Sequence, residues 1–406
     1  MPGRAAVRLD HSALTRLNSR RGLIWMQVMA AEQHWDIFCT VVDNYGDIGV
    51  SWRLARQLVV EHGLQVRLWV DDLTRFRALC PALDPTAPMQ WFDGVEVRHW
   101  AADFPPVTPA GVVIEAFGCT LPDSYLQAMA AQQPAPVWVN LEYLSAEAWV
   151  AGCHGLPSPH PRLALTQYFY FPGFTADSGG LLHESGLQAR RRAFQSAPGD
   201  FWANRSLQPL PGALRVSLFG YENAAVKNLL AAWQQSVQPV QCLLPQSKLL
   251  GQVAQAVGAH ALPEGERQVR GQLNLDVLPF VSQLDYDELL WACDLNFVRG
   301  EDSLVRALLA GRPLVWHIYP QPDDAHWPKL NAFLALYQTG LSPAASQAQQ
   351  ALWHGWNSGQ LDPPIWLDYA PQLAELTRHA EQWAQRLTAE PSLATKLVRF
   401  CQSKLK

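Results

Sequence analysis

The sequence predicts an α/β protein with two Rossmann-like domains facing each other across a cleft. Three observations carry that prediction. Near the N-terminus an apolar run, 37–42, ends in Asp43-Asn44-Tyr45-Gly46-Asp47-Ile48-Gly49, and a helical pattern follows over 50–60. Far downstream the run 295–298 ends in Arg299-Gly300-Glu301-Asp302-Ser303, and a second helical pattern, 304–310, closes at Gly311. The length of 406 residues suits two cores better than one. A helix N-terminus presents unpaired N–H groups and a partial positive charge, so either loop can hold a phosphate.

In the first half, 35–42 reads as a strand, 50–61 as a helix and 65–70 as a strand after Gly63. Asp71-Asp72 ends that strand. Residues 73–79 form a short helix, 95–99 a strand, 112–118 a buried strand ending in glycine, 123–132 a helix and 137–141 a strand. Continuous apolar strands separated by helices imply a parallel sheet covered on both faces. The stretch 152–180 is irregular, and Tyr168-Phe169-Tyr170-Phe171-Pro172-Gly173-Phe174 within it reads as a strand with a cleft-lining loop. Arg190-Arg191-Arg192 reads as a solvated helix face. After a Pro-rich linker at 207–212, strands at 214–219, 240–244, 275–279, 295–298 and 313–317 alternate with helices at 223–236 and 286–292. The tail, 370–406, is helical. The expected units are a disordered extension over 1–34, domains at 35–206 and 207–375, and a helical segment over 376–406 that packs back on the first domain.

Composition excludes several classes. Hydrophobic content of 49% with 17% charged residues describes a packed globular chain rather than a disordered one. A net charge of −5 argues against nonspecific nucleic-acid binding and fits a basic protein partner. The seven cysteines are scattered and form no CxxC pair, which indicates reduced thiols and a reducing compartment. No apolar stretch reaches transmembrane length, and 1–25 lack the apolar core of a signal peptide, so a cytoplasmic protein without membrane contact is expected. No His/Cys cluster has zinc spacing, and Asp71-Asp72 and Asp323-Asp324 are adjacent pairs, so no metal is expected. Ser51 and Ser145 have no evident His/Asp partners for a hydrolase triad.

The run 43–56, Asp-Asn-Tyr-Gly-Asp-Ile-Gly-Val-Ser-Trp-Arg-Leu-Ala-Arg, resembles the hallmark of the EarP family of elongation factor P arginine rhamnosyltransferases. Similar matches are Asn140-Leu141-Glu142-Tyr143-Leu144-Ser145, Phe171-Pro172-Gly173-Phe174-Thr175, Gly179-Gly180-Leu181-Leu182, and Leu278-Pro279-Phe280-Val281 with Gln283. Arg299-Gly300-Glu301-Asp302-Ser303 and His317-Ile318-Tyr319-Pro320-Gln321 complete the set. The resemblance runs from about residue 35 to the C-terminus. It implies a GT-B fold and inverting transfer of L-rhamnose from dTDP-β-L-rhamnose to one arginine of elongation factor P, with no cofactor or metal. The modification would support translation through consecutive prolines. The first domain would bind the acceptor and the second the nucleotide sugar.

Guanidinium is a reluctant nucleophile because its pKa lies above about 12. A buried carboxylate can bind the cation, aim one nitrogen at the anomeric carbon, and take the proton as the bond forms. Asp47 is the candidate base, and the resemblance assigns the base to the matching aspartate. Asp43 is the second candidate, holding the arginine or bracing the loop; a turn or cap role is the structural alternative. Tyr45 belongs to this loop, and Gly46 and Gly49 permit tight turning and close approach of a ligand.

In the second loop, the N–H groups of Asp302 and Ser303 and the Ser303 hydroxyl can bond a diphosphate, while Arg299 neutralises the leaving group. Asp302 or Ser303 can equally be a helix cap. Glu301 is acidic beside an anion and fits only if it binds a sugar hydroxyl or the acceptor arginine; the resemblance gives it a part in catalysis. Gly300 completes the loop. Phe280, Gln283 and Tyr286 read as core by spacing, and the resemblance makes them thymine contacts. Phe219 and Tyr221 end the first strand of the second domain, where α/β sheets face their cleft. Two alternatives remain: a GT-B transferase for another nucleotide sugar and acceptor, and a non-catalytic translation-factor binding protein.

Overall fold

The computed structural model describes residues 33–43 and 45–405. The expected extension over 1–34 therefore lies almost wholly outside the described residues. The first sheet contains β1 (His34–Cys39), β2 (Gln65–Val70), β3 (Met89–Phe92), β4 (Val95–His99), β5 (Val112–Ala116), β6 (Val137–Leu141), β7 (Pro157–Pro159) and β8 (Thr166–Tyr170). Their order is β3-β4-β2-β1-β5-β6-β8-β7. The second sheet contains β9 (Leu214–Leu218), β10 (Val240–Pro245), β11 (Arg267–Arg270), β12 (Leu273–Leu278), β13 (Leu295–Arg299) and β14 (Leu314–His317), in the order β11-β12-β10-β9-β13-β14. All pairings are parallel except β3–β4, β7–β8 and β11–β12 at the edges.

In each sheet the first strand lies centrally, β1 between β2 and β5 and β9 between β10 and β13. These are the topological switch points, where connections leave in opposite directions and open a crevice at the carboxyl ends of the strands. The Asp43–Gly49 loop follows β1, Phe219–Tyr221 follow β9, and Gly300 follows β13. The fold therefore aims both loops into one cleft.

Both loop helices start earlier than the sequence pattern indicates. The first spans Gly46–His62 and the other Gly300–Ala310. Polar and glycine residues form their first turns, so apolar periodicity appears only one turn later. Arg299 is the N-cap of the second helix and makes no side-chain cap bond, so Asp302 and Ser303 are not its caps but lie within its first turn.

Packing crosses the sequence-based boundary at 206. Leu187, Phe201 and Trp202 pack with the core of the second sheet, and so do Leu376, Trp383 and Leu387 of the helix Leu373–Ala389. The final helix, Leu393–Lys404, instead places Leu393, Leu397, Val398 and Cys401 in the core of the first sheet. Within the described residues the chain thus passes between the domains twice, and the two passages touch. Leu393 N–H donates to the Leu181 carbonyl at 2.8 Å, and His183 Nε2 lies 3.2 Å from the Glu390 carbonyl. The arginine run is not a solvated face: Arg191 is buried and Arg190 joins an ion cluster, while Arg192 is exposed.

Leu397 is fully buried against the first domain. Leu397→Ala should destabilise that domain by about 2–5 kcal/mol, read by denaturant unfolding. A loss under about 1 kcal/mol would mean that the last helix does not seal it.

Candidate functional site

The first loop is held by its own carboxylates. Gly46 N–H donates to the Asp43 carbonyl at 2.6 Å, which closes the turn that starts the helix. Asp47, one residue into the helix and 3% exposed, turns back so that its Oδ2 accepts from Val42 N–H at 2.9 Å and Asp43 N–H at 2.8 Å. Two backbone donors ahead of the helix are thereby satisfied, as in a capping box. Asp47 Oδ1 has no hydrogen-bond partner among the described residues. Burial pushes this carboxyl up to about 6; the two N–H bonds oppose the rise, and Asp43 and Glu301 add to it.

Asp43 faces the other domain. Its Oδ2 accepts from the Tyr221 hydroxyl at 2.7 Å, and its Oδ1 lies 3.7 Å from an Arg299 nitrogen. The Arg299 guanidinium sits 4.7 Å from both the Phe219 and Tyr221 ring centroids, so aromatic faces flank the cation. Gly300 has φ +63°, and a Cβ there would stand 3.1 Å from Asp43 Oδ2 and 3.3 Å from the Tyr221 hydroxyl. Only glycine suits both the backbone and the space.

The acidic pair after Gly300 divides between two cations. Glu301 accepts from Lys329 Nζ at 2.8 Å and from Leu144 N–H of the first domain at 2.9 Å. Lys329 thus balances the charge of an acidic residue at a helix start. Asp302 accepts from Arg53 of the first domain at 3.1 Å and 3.4 Å. Gln283 Nε2 donates across the same seam to the Gly49 carbonyl at 3.0 Å, and Gln283 Oε1 is buried without a partner.

Two hollows meet at these loops. One, of about 660 Å³ including solvent-open space, is lined by Asp43, Tyr45, Gly46, Phe219, Phe280, Gln283, Tyr286 and the whole of Arg299–Ser303. Phe280, 40% exposed, lines this hollow and makes a T-shaped contact with Tyr45 at 5.4 Å. Tyr286 is buried and packs on Phe219 at 5.6 Å. The other hollow holds Asp47, Phe117, Tyr143, Tyr319 and Lys329. Asp43, Gly46, Gly300 and Glu301 line both. Tyr221 and Gly49 line neither, but act on them through Asp43 and Gln283. A ligand in each hollow would meet the other across Asp43 and Gly300.

Sequence reasoning missed Arg53, Phe117, Tyr143, Tyr319 and Lys329 as members of this site. Arg53, Tyr143 and Tyr319 stand inside quoted motifs, so a signal existed without a role attached. Phe117 and Lys329 stand outside those motifs. Phe117 takes φ +59° and stacks on Tyr143 at 4.8 Å.

The family model described as Elongation-Factor P (EF-P) rhamnosyltransferase EarP matches residues 35–402. The chain is 53% identical over 374 residues to the protein-arginine rhamnosyltransferase of Pseudomonas putida, covering 91% of this chain and 99% of that one. It is 49% identical to the enzyme of the same name from Pseudomonas aeruginosa, covering 90% and 98%. A solved structure described as the structural basis for EarP-mediated arginine glycosylation of translation elongation factor EF-P aligns with a TM-score of 0.65 at 39% identity, covering 91% and 99%. With its two α/β domains and the loops that meet between them, this chain belongs to the EarP family of protein-arginine rhamnosyltransferases, enzymes of GT-B fold.

Proposed function

We propose that this enzyme transfers L-rhamnose from dTDP-β-L-rhamnose to one arginine of elongation factor P, in the cytoplasm, with inversion at the anomeric carbon. The observation that carries the reading is Asp47: a buried carboxylate with one oxygen tied to the backbone and the other free beside a hollow lined by aromatic and acidic groups. Residues of the C-terminal domain hold the donor. Phe280 stacks on thymine, Gln283 bonds its edge, and the helix N-terminus at Gly300–Ser303 with Arg299 binds the diphosphate. Asp43 and Glu301 stand between the donor and the acceptor arginine.

The acceptor guanidinium enters the second hollow and pairs with Asp47 Oδ1. As the guanidino nitrogen bonds to C1 of rhamnose, the C1–O bond to the diphosphate breaks. The nitrogen proton passes to Asp47, and dTDP leaves with the bonding pair, its charge stabilised by Arg299 and the loop N–H groups. The raised pKa makes Asp47 a stronger base than an ordinary aspartate while leaving it ionised at neutral pH. The bound acceptor displaces water from the second hollow, which limits hydrolysis of the donor.

Intact-mass spectrometry of elongation factor P incubated with enzyme and dTDP-L-rhamnose should show one deoxyhexose, mapped to one arginine. Asp47→Asn should abolish it while keeping donor binding; addition that persists in the variant would move the base elsewhere. The rate under kcat/KM conditions should rise with pH through an apparent pKa near 6, and a flat profile from pH 5 to 8 would exclude Asp47. The same group destabilises the fold when ionised. Its folded pKa exceeds the unfolded value, so its stabilising share is complete below about pH 4 and is lost as pH rises through about 6. Asp47→Asn should therefore be more stable than wild type by about 3 kcal/mol near pH 7, with the gap closing in acid. Phe280→Ala should weaken donor binding by about 1–3 kcal/mol in calorimetry; unchanged affinity would place thymine elsewhere.

A further inference from the structure

We propose that Arg53, a residue of the first domain, is a positioning residue for the donor half of the site. The inference rests on the donor reading above and names a residue which that reading does not use. Arg53 lies on the helix that begins at Gly46, and its side chain is 3% exposed. It reaches across the seam into the hollow assigned to the donor. Its guanidinium contacts both oxygens of Asp302, at 3.1 Å and 3.4 Å, and donates to Glu184 at 2.9 Å. The other Glu184 oxygen accepts from Arg306 at 2.8 Å, and Arg306 forks onto Asp287 at 2.7 Å and 2.6 Å. Arg190 approaches Glu184 and Asp287 from the solvent side at 3.8 Å and 3.6 Å. Three cations and three carboxylates thus form one cluster, buried at Arg53, Arg306 and Asp287 and open to solvent at Arg190. Burial alone would raise the Glu184 pKa, but Arg306 and Arg53 hold it well below the usual carboxylate range.

Two consequences follow for the donor. A bare Asp302 carboxylate beside a diphosphate would repel it; Arg53 cancels that charge from behind. The fork also fixes the first turn of the helix Gly300–Ala310 against the helix carrying Asp47, so the diphosphate-binding N–H groups and the base share one rigid frame. A lysine keeps the charge but cannot span Asp302 and Glu184 together.

The test is a double-variant cycle on the full-length enzyme. Donor KM, kcat and donor affinity by calorimetry are measured for wild type, R53Q, R53K, D302N and R53Q/D302N. R53Q should raise donor KM at least ten-fold, R53K should recover part of it, and R53Q should add little once Asp302 is already Asn. A donor KM within two-fold of wild type, with only the melting temperature lowered, would overturn the proposal, as would an equal R53Q effect in the D302N background. If R53Q does not fold, R53K decides: a rise of three-fold or more supports the role and an unchanged KM rejects it. A wild type that binds no dTDP-L-rhamnose overturns the donor reading and this inference together, whereas a wild type and R53Q that bind it equally overturn this inference alone.

Discussion

Four carboxylates converge in one desolvated cleft, and their mutual repulsion is the constraint around which the rest of the structure is arranged. Like charges a few ångströms apart cost several kcal/mol away from bulk water. Asp43 is met by the Tyr221 hydroxyl and Arg299, Glu301 by Lys329, and Asp302 by Arg53. Asp47 alone has no cationic partner among the described residues and depends on two backbone N–H groups. That asymmetry separates their chemistry. The three paired acids have their charge balanced by a neighbour, while Asp47, buried beside them, is left with raised affinity for a proton.

Several of the contacts around these acids cross between the domains. Tyr221 reaches Asp43, Leu144 N–H reaches Glu301, Arg53 reaches Asp302, and Gln283 reaches the Gly49 carbonyl. Asp43 of the first loop and Asp302 of the second each take a partner from the opposite domain. The switch points of the two sheets supply the geometry, because each aims its loop at the carboxyl end of a central strand and the two ends face one another.

The doubly wound character was legible because buried parallel strands are continuous apolar runs, and both loops stood out as glycine and acid between such runs. The starts of the two loop helices were not legible. Gly46 to Gly49 and Gly300 to Ser303 carry no apolar periodicity, so the sequence pattern starts both helices one turn late and leaves a cap role open for Asp302 or Ser303, which lie inside the first turn. The short antiparallel edge strand β3, with its exposed Met89 and Trp91, offered no buried alternation to read. Arg191 looked solvated because a run of three arginines says nothing about which one faces inward. Arg53 lay in plain view within the longest motif, yet its meaning depends on Asp302 and Glu184, which are 249 and 131 residues away. Pairings of that range carry no mark in local spacing.

The chain passes between the domains twice, once near Leu182 and again near Glu390, and the two passages are hydrogen-bonded side by side. A single tether would allow the lobes to twist, slide and swing. Two tethers laid together would confine any relative movement mainly to a swing about a single line. A swing about that line would return Asp47 to one place over the second loop, without a search through other orientations.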